Sequence, residues 1–191
     1  MAAAIRHISG IPVEEWRRVQ VPEGWRAELI GGEFVVNPAP TWGHAVIATR
    51  LADALRAGAP ASCVVSTSAV EWEIGGAILT GAPQPDLVVA TPADTPRLLG
   101  PPLLAAEILS PSDRQMHTKS GMTRIEAKRQ DYADGGLADY LEVDRVDGVL
   151  TVRRYELHDG ELRVVDRASG DGVLTSERPF PFSIRPADLE P

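Results

Sequence analysis

The sequence predicts a single mixed α/β domain, and three observations predict it. Two short apolar runs, 84–90 and 103–109, are bounded by Pro or Gly and are typical of buried strands. Apolar residues recur at helical spacing in two other segments, 41–57 and 122–133. No internal repeat, low-complexity tract or linker divides the 191 residues, a length that suits one domain.

Taken in order, residues 1–24 are expected to be a peripheral segment, with a short helix near Trp16, and residues 25–191 form the domain. An N-terminal hairpin is expected where Gly31 and Gly32 separate two strand-like runs, because a tight primed turn needs positive φ angles. Thr41 is suited to cap the helix 41–57. A long strand or a bent pair is expected over 63–74, with a turn at Gly75 and Gly76 back into 77–79.

The second half begins with the two apolar runs, which a loop over 91–102 joins. Ser112 or Asp113 could cap the next helix, whose firmest part is 122–133 and which Gly135 and Gly136 would end. The remaining segments are expected to be C-terminal β-strands separated by Asp-Gly turns, and a last short turn: 139–144, 151–157, 162–166, 173–175, 180–184 and 186–189.

Composition excludes several classes of site and partner. With 43% apolar and 24% charged residues the chain resembles ordinary soluble proteins, and its net charge of −8 disfavours a broad non-specific grip on nucleic acid. The net charge does not exclude a local basic groove formed by Arg124, Lys128 and Arg129. Cys63 is the single cysteine, which excludes an intramolecular disulfide and a cysteine-based zinc site. No run is long enough to span a bilayer and 1–7 lacks the apolar core of a signal peptide, so a cytoplasmic location without membrane contact is expected.

Each apolar run carries one acid, Asp86 at the head of the first and Glu107 inside the second. A buried carboxylate is costly unless a metal, a cation or hydrogen bonds compensate it. Inward acids at matching heights on neighbouring strands can share one cation, and oxygen ligands suit Mg²⁺ or Mn²⁺. The backbone carbonyl of Ile108 could complete the shell.

Lys128 shares one helical face with Ile125 and Tyr132, and that face is expected to point inward. One interpretation gives Lys128 the task of stabilising charge on a phosphoryl oxygen during hydrolysis. The other makes Glu107 and Lys128 a structural ion pair that only holds helix to sheet. His44 is open to a similar pair of readings, as a surface or cap residue or as part of the site edge. P-loop, nucleophile-elbow and metalloprotease motifs are all absent.

These residues together resemble the Uma-type putative endonuclease family, from about Trp25 to Leu189. The motifs that carry the resemblance, in order, are 28–33, Pro40 with His44, 85–89, 107–113, Lys128 with Tyr132, and 140–144. The resemblance implies a restriction-endonuclease-like fold of the PD-(D/E)XK superfamily, with a central mixed β-sheet flanked by helices. It also implies a Mg²⁺-dependent phosphodiesterase site.

Carried over by residue, the resemblance makes Asp86 and Glu107 the catalytic, metal-binding acids. The position that usually holds lysine is Leu109 here, and Lys128 of the K-x-x-x-Y pattern matches the lysine that such families supply from the following helix. The segment before Lys128 is longer than is typical. Glu28, His44 and Tyr132 are expected at the edge of the site.

The sequence therefore favours a metal-dependent endonuclease that acts on nucleic acid, with DNA as the expected substrate. The alternative is a catalytically silent member that binds nucleic acid or dimerises. Because nucleases that cut both strands commonly work as symmetric pairs, and this chain is small for enclosing a duplex, a homodimer is expected.

Overall fold

The structure is a computed structural model that describes residues 6–7, 10–67, 70–115 and 121–191. Its strands and helices follow in chain order: β1 (Arg6–His7), β2 (Ile11–Pro12), α1 (Val13–Trp16), β3 (Trp25–Ile30), β4 (Glu33–Pro38), α2 (Trp42–Arg56), β5 (Val64–Ser66), β6 (Glu71–Trp72), β7 (Ile78–Leu79), β8 (Leu87–Ala90), β9 (Arg97–Leu98), β10 (Leu104–Ile108), α3 (Arg124–Asp134), β11 (Asp139–Val146), β12 (Val149–His158), β13 (Glu161–Ser169), β14 (Leu174–Ser176) and β15 (Phe182–Ile184). Two 3₁₀ turns lie at Pro111–Arg114 and Pro186–Leu189.

A six-stranded sheet in the order β13-β12-β11-β10-β8-β5 forms the centre of the molecule. The neighbours β10 and β11 are parallel, and the other four pairs are antiparallel, so the sheet is mixed. Parallel neighbours need a crossover connection, and α3 lies on the connection between β10 and β11. This crossover brings α3 beside the strand that carries Glu107.

Alternation along β10 divides its side chains between two layers. Leu104, Ala106 and Ile108 join the large core cluster, in which Leu51 and Leu55 of α2 are also buried. Ala105 instead joins a smaller aromatic cluster on the other face, together with Tyr132 of α3. Glu107, two positions after Ala105, consequently faces the α3 side of the sheet.

The N-terminal hairpin of β3 and β4 has the predicted primed turn. Gly31 and Gly32 have φ angles of 54° and 73°, and Ile30 pairs directly with Glu33 across them. Before the hairpin, Ile11 and Trp16 are buried in a cluster with Leu29, so part of the segment 1–24 packs against the hairpin.

Helix α2 confirms the helix predicted over 41–57. Thr41 is its N-cap, and its side-chain oxygen accepts a hydrogen bond from the backbone amide of His44 at 3.4 Å. Helix α3 begins after Thr123, whose side chain forms a capping box with Glu126, and it ends at Gly135 as predicted. The C-terminal strands and their Asp-Gly turns are also present.

Two predicted details are wrong. The cap after β10 is Ser110, not Ser112 or Asp113, because Asp113 itself closes a capping box on the Ser110 amide. The loop over 91–102 contains β9, which pairs in parallel with β6. The Gly75-Gly76 turn leads back into β7 as predicted, and beyond β7 the chain returns beside the segment before the turn, where Ile74 and Gly81 form an antiparallel bridge. Strand β7 itself pairs with β2. Residues 68–69 and 116–120, with His117 among the latter, lie outside the described residues.

In the portion of the chain that the structure describes, no helix is both long enough and apolar enough to cross a membrane.

Candidate active site

Asp86 and Glu107 lie opposite each other on neighbouring antiparallel strands. The register of β8 and β10 pairs Leu87 with Ala106, and its continuation by one residue places Asp86 across from Glu107. Directly opposed residues of an antiparallel pair project to the same face. Both residues are buried, with 8% and 4% of their surface exposed. The structure thus brings the two predicted acids together on the α3 side of the sheet.

One oxygen of Asp86 is fixed by two donors. Asp86 Oδ2 accepts the Ile108 amide at 2.9 Å and lies 3.0 Å from His44 Nε2. The guanidinium of Arg26 lies 3.8 Å from the other oxygen, Oδ1. His44 is therefore a contact of the site as well as a residue of the capped first turn of α2.

Glu107 is likewise held through a single oxygen. Lys128 Nζ donates to Glu107 Oε1 at 2.9 Å, and the hydroxyl of Tyr132 donates to the same atom. Lys128 and Tyr132 are separated by four positions on α3, so one helical face supplies both donors. Both side chains are buried, as their predicted inward face requires.

Glu28 gives Lys128 a second carboxylate partner. Glu28 Oε1 lies 2.9 Å from Lys128 Nζ and accepts the Gln84 amide at 2.9 Å. Its Oε2 accepts a hydrogen bond of 2.7 Å from Asn37. Glu28 is 2% exposed, and both of its oxygens have partners. It holds Lys128 and the backbone of Gln84, two residues before Asp86.

A cavity of about 320 Å³ opens over these groups. The residues that line it come from the hairpin, the start of α2, the two central strands, the 3₁₀ turn and α3: Arg26, Glu28, Asn37, Pro38, Ala39, Pro40, Thr41, His44, Asp86, Glu107, Ile108, Ser110, Pro111, Ser112, Asp113 and Lys128. Of the predicted site residues, Tyr132 alone is outside this lining, since it lies behind Glu107 in the aromatic cluster.

The two acids have opposite pKa shifts. Burial raises the pKa of Glu107 well above its ordinary value, and Asp86 and Glu28 raise it further against the effect of Lys128. Burial also disfavours the charge on Asp86, but hydrogen bonding and charge from His44, with Lys128 and the Ile108 amide, hold its pKa below the ordinary value. The pair therefore carries one negative charge more readily than two, and a bound cation would remove that cost.

One oxygen of each carboxylate is without a hydrogen bond in the described part of the chain and could bind a cation. Asp86 Oδ1 and Glu107 Oε2 accept no hydrogen bond from the described residues, and the nearest cation to Asp86 Oδ1 is the Arg26 guanidinium at 3.8 Å. Within the described ranges no three His, Cys, Asp or Glu side chains form a complete metal cage. Mg²⁺ commonly uses one or two carboxylates and keeps waters in its remaining positions, and two acids meet that need.

Arg26 is a site residue that the sequence analysis missed. Arg26 and Glu28 are two positions apart on β3 and therefore point to the same face of the hairpin, as does Asn37, which pairs with Arg26 across it. This alternation along the strand is the signal that could have identified Arg26.

Arg124, Lys128 and Arg129 do not form the local basic groove that the net charge had left possible. Arg124 is buried and donates to Asn37 at 3.0 Å, and Lys128 lies between two acids. Arg129 pairs with the buried Glu142 of β11 at 2.5 Å. Because the three cations have separate partners, they present no continuous basic surface.

Comparisons with known proteins agree with this architecture. The Uma2 family model, whose description is "putative restriction endonuclease", matches residues 13–189. The crystal structure of a putative nuclease belonging to DUF820 from Anabaena variabilis superposes with a TM-score of 0.65 at 20% identity, covering 94% of this chain and 97% of that one. This likeness confirms the predicted mixed, restriction-endonuclease-like fold. No curated protein matches the chain.

Proposed function

The chain belongs to the Uma2 family of putative restriction endonucleases, and from that membership we propose that it is a metal-dependent endonuclease that hydrolyses DNA phosphodiester bonds. Asp86, Glu107 and the Ile108 carbonyl are the proposed ligands of Mg²⁺ or Mn²⁺, and Lys128 is the proposed catalytic cation. Family membership supports a nuclease. The metal and the residue roles rest on the geometry of the site.

One observation carries this proposal: two buried acids and a buried lysine, from three separate elements, meet in one open cavity. A catalytically silent module has no need for two buried carboxylates opposite each other, each with one oxygen that accepts no hydrogen bond from the described residues. Burying such a pair costs free energy, and a structure tolerates that cost where function requires it.

The roles of the residues follow from their contacts. When bound, the metal ion supplies a water of lowered pKa and a Lewis acid for the phosphate. Tyr132 and Lys128 hold Glu107 Oε1, and in the proposed role Glu107 Oε2 binds the metal. The Ile108 amide and His44 hold Asp86 in the same way. Lys128, fixed by Glu28 and Glu107, places its charge where a phosphate oxygen gains negative charge during hydrolysis.

Cleavage of plasmid DNA and of single- and double-stranded oligonucleotides tests this proposal. The protein should cut at least one substrate in Mg²⁺ or Mn²⁺ and none in EDTA. Asp86→Asn should cut about a thousandfold more slowly or not at all, because a lost metal ligand removes several kcal/mol of transition-state stabilisation.

Asp94→Asn is the matched control, since Asp94 is an exposed acid on the loop between the same two strands. It should cleave at the wild-type rate. Cleavage that survives EDTA, full activity of Asp86→Asn, or no cleavage of any substrate would each contradict the proposal.

A further inference from the structure

Arg26 lines the active-site cavity, and its guanidinium donates no hydrogen bond to any residue that the structure describes. Its Nε is buried without a partner. Its Nη1 lies 3.8 Å from Asp86 Oδ1, which is beyond hydrogen-bond range. A buried donor without an acceptor costs free energy, and an arginine that only held Asp86 in place would be expected to hydrogen-bond it. The guanidinium is therefore free to bind an acceptor from outside the chain.

The neighbouring arginines are paired as structural arginines usually are. A second pocket, of about 200 Å³, adjoins the hairpin and is lined by Arg17, Arg26 and Arg97 among others. Arg17 donates to the two oxygens of Glu73 at 2.8 and 2.7 Å, and Arg97 donates to Glu71 at 2.8 Å. Arg26 lines both this pocket and the active-site cavity. It differs from the other two arginines because it has no such carboxylate partner in the described part of the chain.

The backbone of the hairpin fixes the position of Arg26. Gln84 donates through its side chain to the Ala27 carbonyl at 3.1 Å and through its amide to Glu28 Oε1 at 2.9 Å. These two bonds tie β3 to the segment just before Asp86. Arg26 is consequently held beside the acids of the site without any bond from its own head group.

The charge of the cavity gives an unpaired cation a task. Four of the residues that line it carry carboxylates: Glu28, Asp86, Glu107 and Asp113. Lys128 lies 2.9 Å from both Glu28 and Glu107, so these two acids offset its charge. A phosphodiester is an anion, and the acids repel it. Arg26 is the lining cation that is best placed to attract it.

We propose that Arg26 is the phosphate-binding residue of the site, and that its guanidinium binds the phosphate at which the nucleic acid is cleaved. The inference rests on the proposed nuclease function and adds the residue that recognises its substrate. A guanidinium presents N–H donors in a plane that matches two oxygens of one phosphate. Because Nη1 lies 3.8 Å from an oxygen of Asp86, a phosphate bound there lies beside the acids that act on it.

Mn²⁺ binding to Arg26→Gln separates this role from a structural one. A cation this close to Asp86 repels a second cation, so its removal should tighten Mn²⁺ binding by about tenfold. If Arg26 instead held Asp86 in place, its loss would weaken Mn²⁺ binding. Electron paramagnetic resonance of free Mn²⁺ measures the affinity. The variant loses no hydrogen bond within the described residues, so it should fold, which circular dichroism checks.

Dimethyl phosphate, the simplest phosphodiester, then reports on the phosphate site without DNA. It should raise the Mn²⁺ affinity of the wild type by about fivefold relative to sodium chloride at the same ionic strength, because the anion and the cation attract each other. In Arg26→Gln this gain should be largely lost. Arg26→Lys keeps the charge without the planar fork, so it should retain part of the gain.

Arg50→Gln is the matched control. It removes an equal charge from an exposed position of α2, outside the lining of the active-site cavity. It should match the wild type in both titrations and in cleavage. Arg26→Gln should cleave about tenfold to a hundredfold more slowly, the range that one charged hydrogen bond corresponds to.

Mn²⁺ binding by Arg26→Gln that is no tighter than that of the wild type would overturn the inference and make Arg26 a structural partner of Asp86. A wild-type response of this variant to dimethyl phosphate would overturn it as well. Failure of the nuclease proposal looks different: Mn²⁺ and dimethyl phosphate bind together in an Arg26-dependent manner, yet no nucleic acid is cleaved.

Discussion

Lys128→Met should lower the free energy of unfolding by about 3 to 5 kcal/mol at neutral pH, because it leaves two buried carboxylates without their shared cation. Lys128 Nζ lies 2.9 Å from both Glu28 Oε1 and Glu107 Oε1, and both acids are almost fully buried. Methionine keeps much of the length of the lysine, so loss of charge dominates over loss of packing. Cleavage should fall by about a hundredfold or more as well. Urea unfolding followed by circular dichroism measures the change in stability.

The loss of stability should depend on pH. A carboxyl whose pKa is raised on folding makes the protein less stable as the pH rises from the pKa of that carboxyl in the unfolded chain through its pKa in the folded protein. Burial raises the pKa of Glu107 above 4.5, and removal of Lys128 raises it further. The deficit of the variant should therefore be smallest near pH 4.5 and grow toward neutral pH. Burial also raises the pKa of Asp131 to about 7, so the comparison is repeated in an Asp131→Asn background to isolate Glu107.

Arg163→Met is the control for removing a paired cation, because Arg163 and Glu161 form an exposed ion pair. It should change stability by well under 1 kcal/mol, the usual worth of such pairs. A Lys128→Met protein as stable as the wild type, or a deficit that is the same at every pH, would show that Lys128 is not the cation that neutralises these acids.

Glu107→Gln should abolish cleavage and yet leave the metal-free protein as stable as the wild type or more stable. The amide keeps the shape of the side chain and an oxygen that can accept from Lys128 and Tyr132. Lys128 remains paired with Glu28, so its buried ammonium keeps a carboxylate partner. Because the raised pKa of Glu107 costs the wild type stability above pH 4.5, the advantage of the variant should increase with pH.

Mg²⁺ separates the metal site from a purely structural ion pair. At a hundred times its dissociation constant it should stabilise the wild type by about 2.7 kcal/mol and leave Glu107→Gln unchanged. Glu142 provides a close control. It lies beside Glu107 in the register of β10 and β11, and its carboxylate accepts hydrogen bonds from Arg129 and Tyr155. Glu142→Gln should destabilise the protein but retain the Mg²⁺ effect. A destabilised Glu107→Gln, with neither protein responding to Mg²⁺, would reduce Glu107 to a structural partner of Lys128.

Local patterns were sufficient for the elements that carry the acids. An acid inside each of two short apolar runs predicted two strands and a shared cost of burial, and the register of β8 and β10 places the acids opposite each other. The spacing of Lys128 and Tyr132 predicted the face of α3 that contacts Glu107. Two adjacent glycines predicted the hairpin turn. In each case the information lies within a few residues of the feature.

Contacts between distant elements were not predictable in this way. Glu28 and Lys128 are brought together by the packing of the hairpin against α3, and no local period encodes that approach. The contact between His44 and Asp86 joins the first turn of α2 to the head of β8, and the sequence near His44 indicated only a helix start. The pairing of β7 with β2 is similarly non-local, since the two glycines before β7 indicated only a turn.

Titration of the metal-free protein with Mn²⁺, with free Mn²⁺ followed by electron paramagnetic resonance, tests most directly whether Asp86 and Glu107 share one cation. The wild type should bind one Mn²⁺ per chain, and Mg²⁺ should compete for the same site. Asp86→Asn and Glu107→Gln should each lose that binding, while Glu142→Gln should keep it. Equal Mn²⁺ binding by the wild type and Asp86→Asn, or no Mn²⁺ binding by the wild type, would contradict a metal centre at these two carboxylates.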